Sequence, residues 1–419
     1  MEMETDWDVI IIGGGPAGST AAITLAKAGR RVLVLEKEKF PRFHIGESML
    51  TYSKPILEEL GVMEKVASAG FMVKRGAQFW MGDGSRYVQF VFADGSFTEH
   101  SETFQVERSK FDELLLRHAA ECGAVVQEEC VVTDYAVEKD FARVSFRRTD
   151  GALEEVRASF IMDASGLANF TGTREKLREY YPGHKKIAVF SHYSGVGMPE
   201  GNRTGDILII RRRNSWFWMI PLAGGKTSVG LVMDKDELQA SGKKPQEIFD
   251  YAVATTRAVK ERMAEAKAVE PLHVLTDFSY RNSRLASPRL VRIGDASGFI
   301  DPIFSSGVLL ALTSGRDAAG EVHKALSKGK STSLGLRYYS WRTKRRISRY
   351  WEFIENFYKV PFSQLFFQPQ PHLRMVCAIN SVLAGRVSMP FAAWWRLRAF
   401  FALVWLQRYV PVVRKIAIR

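Results

Sequence analysis

The apolar run Val9 to Ile12 leads straight into Gly13-Gly14-Gly15-Pro16-Ala17-Gly18. A helical stretch follows to Ala28-Gly29, and a second apolar run, Val32 to Leu35, stops at Glu36. Short all-apolar strands belong to a parallel sheet covered on both faces, so the segment reads as a complete βαβ unit. In that context the G-x-G-x-x-G of Gly13, Gly15 and Gly18 has a physical meaning that a bare glycine pattern lacks. Gly13 permits the tight turn, Gly15 lets the backbone approach a pyrophosphate, and Gly18 lets helix and strand pack closely. The helix N-terminus adds N–H donors and the positive end of its dipole. Glu36, 18 residues beyond Gly18, stands where a carboxylate accepts from a ribose hydroxyl. An adenine dinucleotide is expected here, against Gly13, Gly15, Pro16, Ala17, Gly18, Glu36 and Lys37.

Two further acidic-glycine turns close apolar runs downstream: Asp163-Ala164-Ser165-Gly166 after Phe160, and Gly294-Asp295-Ala296 after Leu290 to Ile293. They would bring distant segments onto one extended cofactor. Between them lie alternating, strand-like stretches: Tyr87 to Phe92, Ala142 to Phe146, Ile207 to Ile210, Trp216 to Pro221 and Thr227 to Met233. From Gly307 the chain becomes helical, with Pro361, Pro369, Pro371, Pro390 and Pro411 as breaks. The expected fold class is α/β. A Rossmann-like dinucleotide-binding domain, discontinuous over 1–75, 105–171 and 286–335, carries an inserted, mostly antiparallel β-sheet substrate domain over 76–104 and 172–285. Residues 336–419 form a helical, basic C-terminal region.

The three acidic-glycine turns resemble the flavoprotein monooxygenase superfamily, in which the Gly-Asp turn holds the ribityl chain of FAD; the resemblance favours FAD over NAD and implies that Arg108 sits beside the flavin. Four local patterns resemble one branch of it, the flavin-dependent halogenases of the phenol and pyrrole type. They are Phe40-Pro41-Arg42-Phe43-His44-Ile45-Gly46-Glu47-Ser48, the Trp216-Phe217-Trp218-Met219-Ile220-Pro221 signature, Asp301-Pro302-Ile303-Phe304-Ser305-Ser306-Gly307-Val308, and Lys74 two residues before Gly76. The resemblance spans residues 8 to about 330.

It implies that reduced FAD and O2 oxidise chloride or bromide to hypohalous acid, which a lysine then directs onto an electron-rich aromatic ring, phenol or pyrrole, free or carrier-tethered. The implied catalytic residues are Lys74 and Glu47. The implied cofactor contacts add Arg42, Ser48, Arg108, Asp163, Gly294, Asp295, Gly307 and Val308 to those of the βαβ unit. The amides of Ser306 and Gly307 would hold the halide, since a small-residue turn entering a helix offers converging N–H donors. A lysine suits the transfer because its amine is partly neutral when desolvated, unlike a guanidinium, although a lysine beside an arginine is ordinarily a solvated surface charge. Trp216, Trp218, Ile220 and Pro221 would wall the flavin from the organic substrate; core packing explains the same alternation. The tryptophan-specific halogenases place a glutamate where this sequence has Phe304; Glu47, which its motif places close to the flavin, is a candidate assisting carboxylate, and a structural salt bridge explains it equally well. A single dinucleotide unit implies a separate flavin reductase.

The charge is uneven. Of 59 Lys+Arg and 46 Asp+Glu in 419 residues, nine basic and no acidic side chains fall after Glu355, leaving 50 against 46 in the body. Trp394-Trp395-Arg396-Leu397-Arg398 and Trp405-Leu406-Gln407-Arg408-Tyr409 mix aromatic and basic groups. Such a tail suits peripheral contact of residues 390–419 with an anionic membrane, docking of an acidic carrier protein, or packing on the domain with its arginines solvated. Nothing resembles a nucleic-acid-reading motif. Three scattered cysteines, without a C-x-x-C pair, suggest neither a disulfide framework nor zinc, and no other metal site is expected. With an N-terminus unlike a signal peptide and no apolar run of membrane-spanning length, a cytoplasmic protein is expected, at most peripheral to the inner face of the membrane. Two other chemistries stay open: flavin-dependent aromatic hydroxylation, and reduction of a prenyl lipid as in the geranylgeranyl reductases.

Overall fold

The structure, a computed structural model, describes residues 6–276, 279–369, 372–386 and 388–417. The first residues of the N-terminal segment and Pro371 among the expected breaks lie outside the described residues.

Five parallel strands lie in the order Leu290–Arg292, Leu153–Asp163, Trp7–Ile12, Val32–Leu35 and Val125–Gln127. Val9, Ile10 and Ile11 are wholly buried, as a strand covered on both faces requires. Each such side chain contributes about 1.5–3 kcal/mol of burial. An antiparallel pair, Cys130–Val137 and Ala142–Arg148, extends this sheet off Leu153–Asp163.

The glycine turn that starts the βαβ unit is sterically determined. Gly13 has φ +102° and donates to the Leu35 carbonyl at 2.8 Å. A Cβ there would stand 2.5 Å from the Ala164 carbonyl oxygen, and one on Gly18 would stand 1.9 Å from that of Gly13. Helix Pro16–Lys27 in turn packs on helix Gly307–Leu326, where a Cβ on Gly315 would come within 2.4 Å of the Ala17 carbonyl oxygen.

The second large sheet runs Lys267–Ala268, Lys186–Ser194, Lys226–Asp234, Trp216–Pro221, Ile207–Arg211, Gly76–Met81 and Tyr87–Val91, with His273–Thr276 also paired to Lys186–Ser194. All of its pairings are antiparallel except that of Ile207–Arg211 with Gly76–Met81. The α/β fold with a mostly antiparallel second sheet and C-terminal helices is therefore as expected. Period-two alternation sends Trp216, Trp218 and Ile220 into the core shared with the first sheet, while Phe217 and Met219 enter a separate core with Ile248 and Phe249.

Helices Leu334–Phe357, Val360–Phe366, Met375–Leu383 and Phe391–Leu406 complete the chain. Pro361 begins one of them and Pro390 caps another, so both mark starts rather than interruptions. In the last helix Ala393, Leu397, Phe400 and Val404 form the buried stripe. Its arginines are engaged: Arg396 donates to the Leu373 and Ala392 carbonyls, and Arg398 pairs with Glu352. Phe391, Trp394, Trp405 and Tyr409 remain exposed. No helix among the described residues is long and apolar enough to cross a membrane.

Candidate active site

A cavity of about 520 Å³ opens at the C-terminal ends of the parallel strands and continues to the inner face of the second sheet. Of the residues expected to meet the cofactor, Gly13, Gly15, Pro16, Ala17, Glu36, Lys37, Arg42, Ser48, Arg108, Gly294, Asp295, Gly307 and Val308 line it, as do Glu47, Trp216, Trp218 and Ile220. Gly18, Asp163, Ser306, Pro221 and Lys74 do not.

Four of these absences have a reason. Gly18 serves the helix–turn contact described above. Asp163 is fully buried, and its two oxygens accept from the amides and hydroxyls of both Ser165 and Thr171. The acidic turn expected to touch the cofactor thus braces its own loop, and Ala164, Ser165 and Gly166 line the cavity in its place. Ser306 lies behind Ser305 and Gly307; it is buried at the N-cap of the long helix, yet its side chain caps no amide. The first-turn N–H groups of that helix therefore lack side-chain acceptors. Asp301 closes the start of this loop, accepting from the Ile303 amide at 3.1 Å and from the Tyr358 hydroxyl at 2.6 Å. Tyr358 accepts in turn from Trp216 Nε1 at 2.8 Å, tying the loop that begins at Asp301 to strand Trp216–Pro221.

Glu36 accepts from the Gly14 amide at 2.7 Å and the Glu38 amide at 3.0 Å, one bond to each oxygen. Each oxygen retains a lone pair for a ribose hydroxyl. Arg108 forms a two-pronged ion pair with Asp112, 2.7 and 2.9 Å, and donates to the Ile45 carbonyl at 2.8 Å. Arg42 reaches the same carboxylate at 2.8 Å. Burial works against both charges, but Arg108 and Arg42 hold the Asp112 carboxyl below its ordinary range. His44, half-buried beside these cations, is lowered to about 4 by desolvation and by the charge of Arg108, and stays neutral. Burial raises Asp295 to about 7, the Arg108 charge opposing.

Lys74 sits at the end of strand Met72–Lys74, 1% exposed, and donates to Ser48 Oγ and the Met49 carbonyl, both at 2.9 Å. Its amine is 5.4 Å from the centre of the Phe92 ring. Burial lowers it to about 7, and the charge of Asp206 pulls the other way. Ser48 therefore lies between the cavity and the amine. The side chain expected to assist the lysine is directed elsewhere: Glu47 Oε1 meets His192 Nε2 at 2.6 Å, and Glu47 Oε2 is buried without a protein partner. The carboxylate whose charge reaches Lys74 is Asp206, held by Gln78 and Gln89 at 3.0 and 3.1 Å.

The cavity suits an FAD. A Cβ on Gly307 would point into open space and one on Gly15 would meet only Arg42 Nη2, at 3.6 Å, which leaves room for a cofactor to approach backbone. The helix after Gly15 has no side-chain cap competing for its amides, and Glu47 offers an unused acceptor. The FAD binding domain family matches residues 6–353. The chain is 33% identical over 392 residues to the 1H-pyrrole-2-carbonyl-[peptidyl-carrier protein] chlorinase of Pseudomonas fluorescens, covering 88% of this chain and 87% of that one. The chain belongs to the flavin-dependent halogenase family.

Solved structures share the fold. The flavin-dependent brominase Bmp2 superposes on this halogenase with a TM-score of 0.84 at 28% identity, over 94% of this chain and 98% of that one. A flavoprotein/dehydrogenase from Cytophaga hutchinsonii superposes with a TM-score of 0.87 at 29% identity, over 96% and 99%. The halogenase holds FAD and acts on halide. Some residues of its site carry no local signature: His192 lies 145 residues from Glu47, and Tyr358 lies 57 from Asp301. Asp112 had one, standing four residues after Arg108 on a helix.

Proposed function

We propose that this halogenase transfers chlorine or bromine to an electron-rich phenol or pyrrole through Lys74. The supporting observation is the amine itself: enclosed, lowered to about 7, and separated from the cofactor cavity by Ser48. Bound reduced FAD, with O2, supplies the oxidation of halide to hypohalous acid. The uncapped first turn of helix Gly307–Leu326, through the amides of Ser306 and Gly307, binds the halide. Trp216 and Trp218 exclude the ring from the cavity; Trp218 is fixed by its N–H bond to Ser228 Oγ at 3.1 Å. Lys74, half deprotonated near neutrality, presents a lone pair to the halogen and positions it for attack by the ring. Reduced FAD comes from a separate reductase in the cytoplasm.

The near end-to-end likeness to an enzyme named for a carrier-bound pyrrole supports a tethered ring as substrate. Exposed Arg408, Arg414 and Lys415, on a tail without acids, suit an acidic carrier. The test supplies reduced FAD, O2 and bromide with a pyrrole loaded on an acyl carrier protein and, separately, with free phenols. Brominated tethered pyrrole, lost when those three basic residues become serine, is expected. Bromination of free phenols alone removes the carrier; association with anionic vesicles, with no carrier dependence, assigns the tail to a membrane. Hydroxylated product without halide would overturn the proposal in favour of a monooxygenase.

A further inference from the structure

The halogenation proposed above consumes one proton, and the proton is needed on a particular side of the tryptophan wall. On the cofactor side FADH2 + O2 + X⁻ + H⁺ gives FAD + HOX + H2O: the flavin and the halide each lose two electrons and dioxygen gains four. Beyond the tryptophans, ArH + HOX gives ArX + H2O; the C–H bond is exchanged for C–X and its proton leaves in water. The second half is balanced without a proton from outside. The first is not, and its surroundings are a cavity whose lining includes Trp216, Trp218, Phe43 and Phe190.

A chain of titratable side chains leads from the wall of that cavity beside Phe43 and Phe190 to the outside. Glu47 lines the cavity, is 1% exposed, and has Oε2 free of protein partners. Its Oε1 meets His192 Nε2 at 2.6 Å. His192 Nδ1 faces Glu270 Oε1 at 3.2 Å, an ion-pair contact, and makes no other hydrogen bond. The Glu270 side chain is 33% exposed and borders a second cavity, of about 610 Å³, with Lys260 and Asp250 in its wall. We propose that Glu270, His192 and Glu47 form a proton relay that carries one proton per turnover from solvent to the cofactor cavity.

The groups facing His192 favour this use. Burial opposes its charge, but the hydrogen bonds and charges of Glu47 and Glu270 outweigh that and raise its pKa. An imidazolium between two carboxylates releases a proton to one and regains it from the other. His273 approaches Glu270 Oε2 at 4.0 Å, and Arg108 acts on Glu47 through its charge. Phe43 stacks on His273 at 4.3 Å and meets His192 edge-on at 5.9 Å, shielding the relay.

Two measurements on the full chain test the relay. First, the ring of His192 is titrated by nitrogen NMR in the wild type, Glu47→Gln and Glu270→Gln. The wild-type midpoint is expected above the ordinary histidine value, falling in both variants; a wild-type midpoint at or below that value overturns the relay whether or not the protein halogenates. Second, FADH2-loaded enzyme is mixed rapidly with O2 and bromide, and hypobromite is captured by a chemical trap. His192→Gly should lose on the order of 10²-fold in the rate of hypobromite formation, regain it with added imidazole, and show a larger solvent deuterium effect. Glu270→Gln, altered at a partly exposed position, should slow the same step. Unchanged rates, or a loss that imidazole does not restore, overturn the relay. Wild type that reoxidises FAD without hypobromite overturns the halogenase reading instead, and the NMR titration then decides the relay separately.

Discussion

Replacing Lys74 with methionine should abolish halogenation and change the pH dependence of stability in a calculable way. In the unfolded chain the amine titrates at 10.5, and in the fold at about 7. The gap corresponds to about 5 kcal/mol of disfavoured charge. Its sign follows from proton counts: between those two values the unfolded state holds more protons, so wild-type stability rises with pH, and the cost of the buried charge is fully present below 7. Methionine is of similar length and removes the titrating group. It also leaves Ser48 Oγ and the Met49 carbonyl without their lysine donor, costing about 1–3 kcal/mol each at all pH values. That loss offsets the two stability curves without altering their slopes. The diagnostic quantity is therefore the change in the wild-type-minus-variant difference, which should grow by about 2 kcal/mol in favour of wild type from pH 7 to pH 9. Urea denaturation across that range, at equal FAD saturation, measures it. Parallel curves would show that Lys74 is solvated as an ordinary surface lysine, and would remove the physical basis for its role.

The rate of halogenation should fall as pH drops through about 7, because protonation removes the lone pair on Lys74; a pH–rate profile with no acid limb there would contradict a neutral amine. Gly13→Ala places a Cβ 2.5 Å from the Ala164 carbonyl oxygen at φ +102°, and should cost about 1–3 kcal/mol of backbone strain together with FAD affinity, read by thermal denaturation and flavin fluorescence titration. Tyr358→Phe strips a partner from both Trp216 Nε1 and Asp301. It should destabilise by about 1–3 kcal/mol for each group left unpaired and raise the share of reduced FAD lost as hydrogen peroxide, measured as peroxide formed per product.

What could be read in advance was local. The Gly13 turn, the Trp216–Pro221 strand and the position of Lys74 each rest on a few consecutive residues whose backbone geometry is determined by their own side chains, or by their absence. What escaped was assembled from distant segments. Lys74 is enclosed against Ser48, Met49 and Phe92 and feels the charge of Asp206, all distant in sequence, so a lysine next to an arginine reads in sequence as a surface charge. Asp163 misled for the opposite reason: its acidic turn repeats the Gly294-Asp295 pattern, but Thr171 and Ser165 take up its oxygens. Glu47 stood beside the right residue in sequence, yet the side chain that claims it lies on another sheet. The basic tail is a further case. Its stripe of Ala393, Leu397, Phe400 and Val404 packs on the domain while aromatic groups on its other faces stay exposed.

Transfer of halogen by way of Lys74 is the step on which the proposed reaction depends. Its most direct test compares wild type with Lys74→Met in one assay: FADH2, O2 and bromide with an activated aromatic ring, reading brominated product and hydrogen peroxide together by mass spectrometry and peroxide titration. Bromide-dependent product from the wild type is predicted, and its disappearance in the variant while FADH2 is still oxidised. Equal bromination by both proteins, or hydroxylated product whatever the halide, would contradict it.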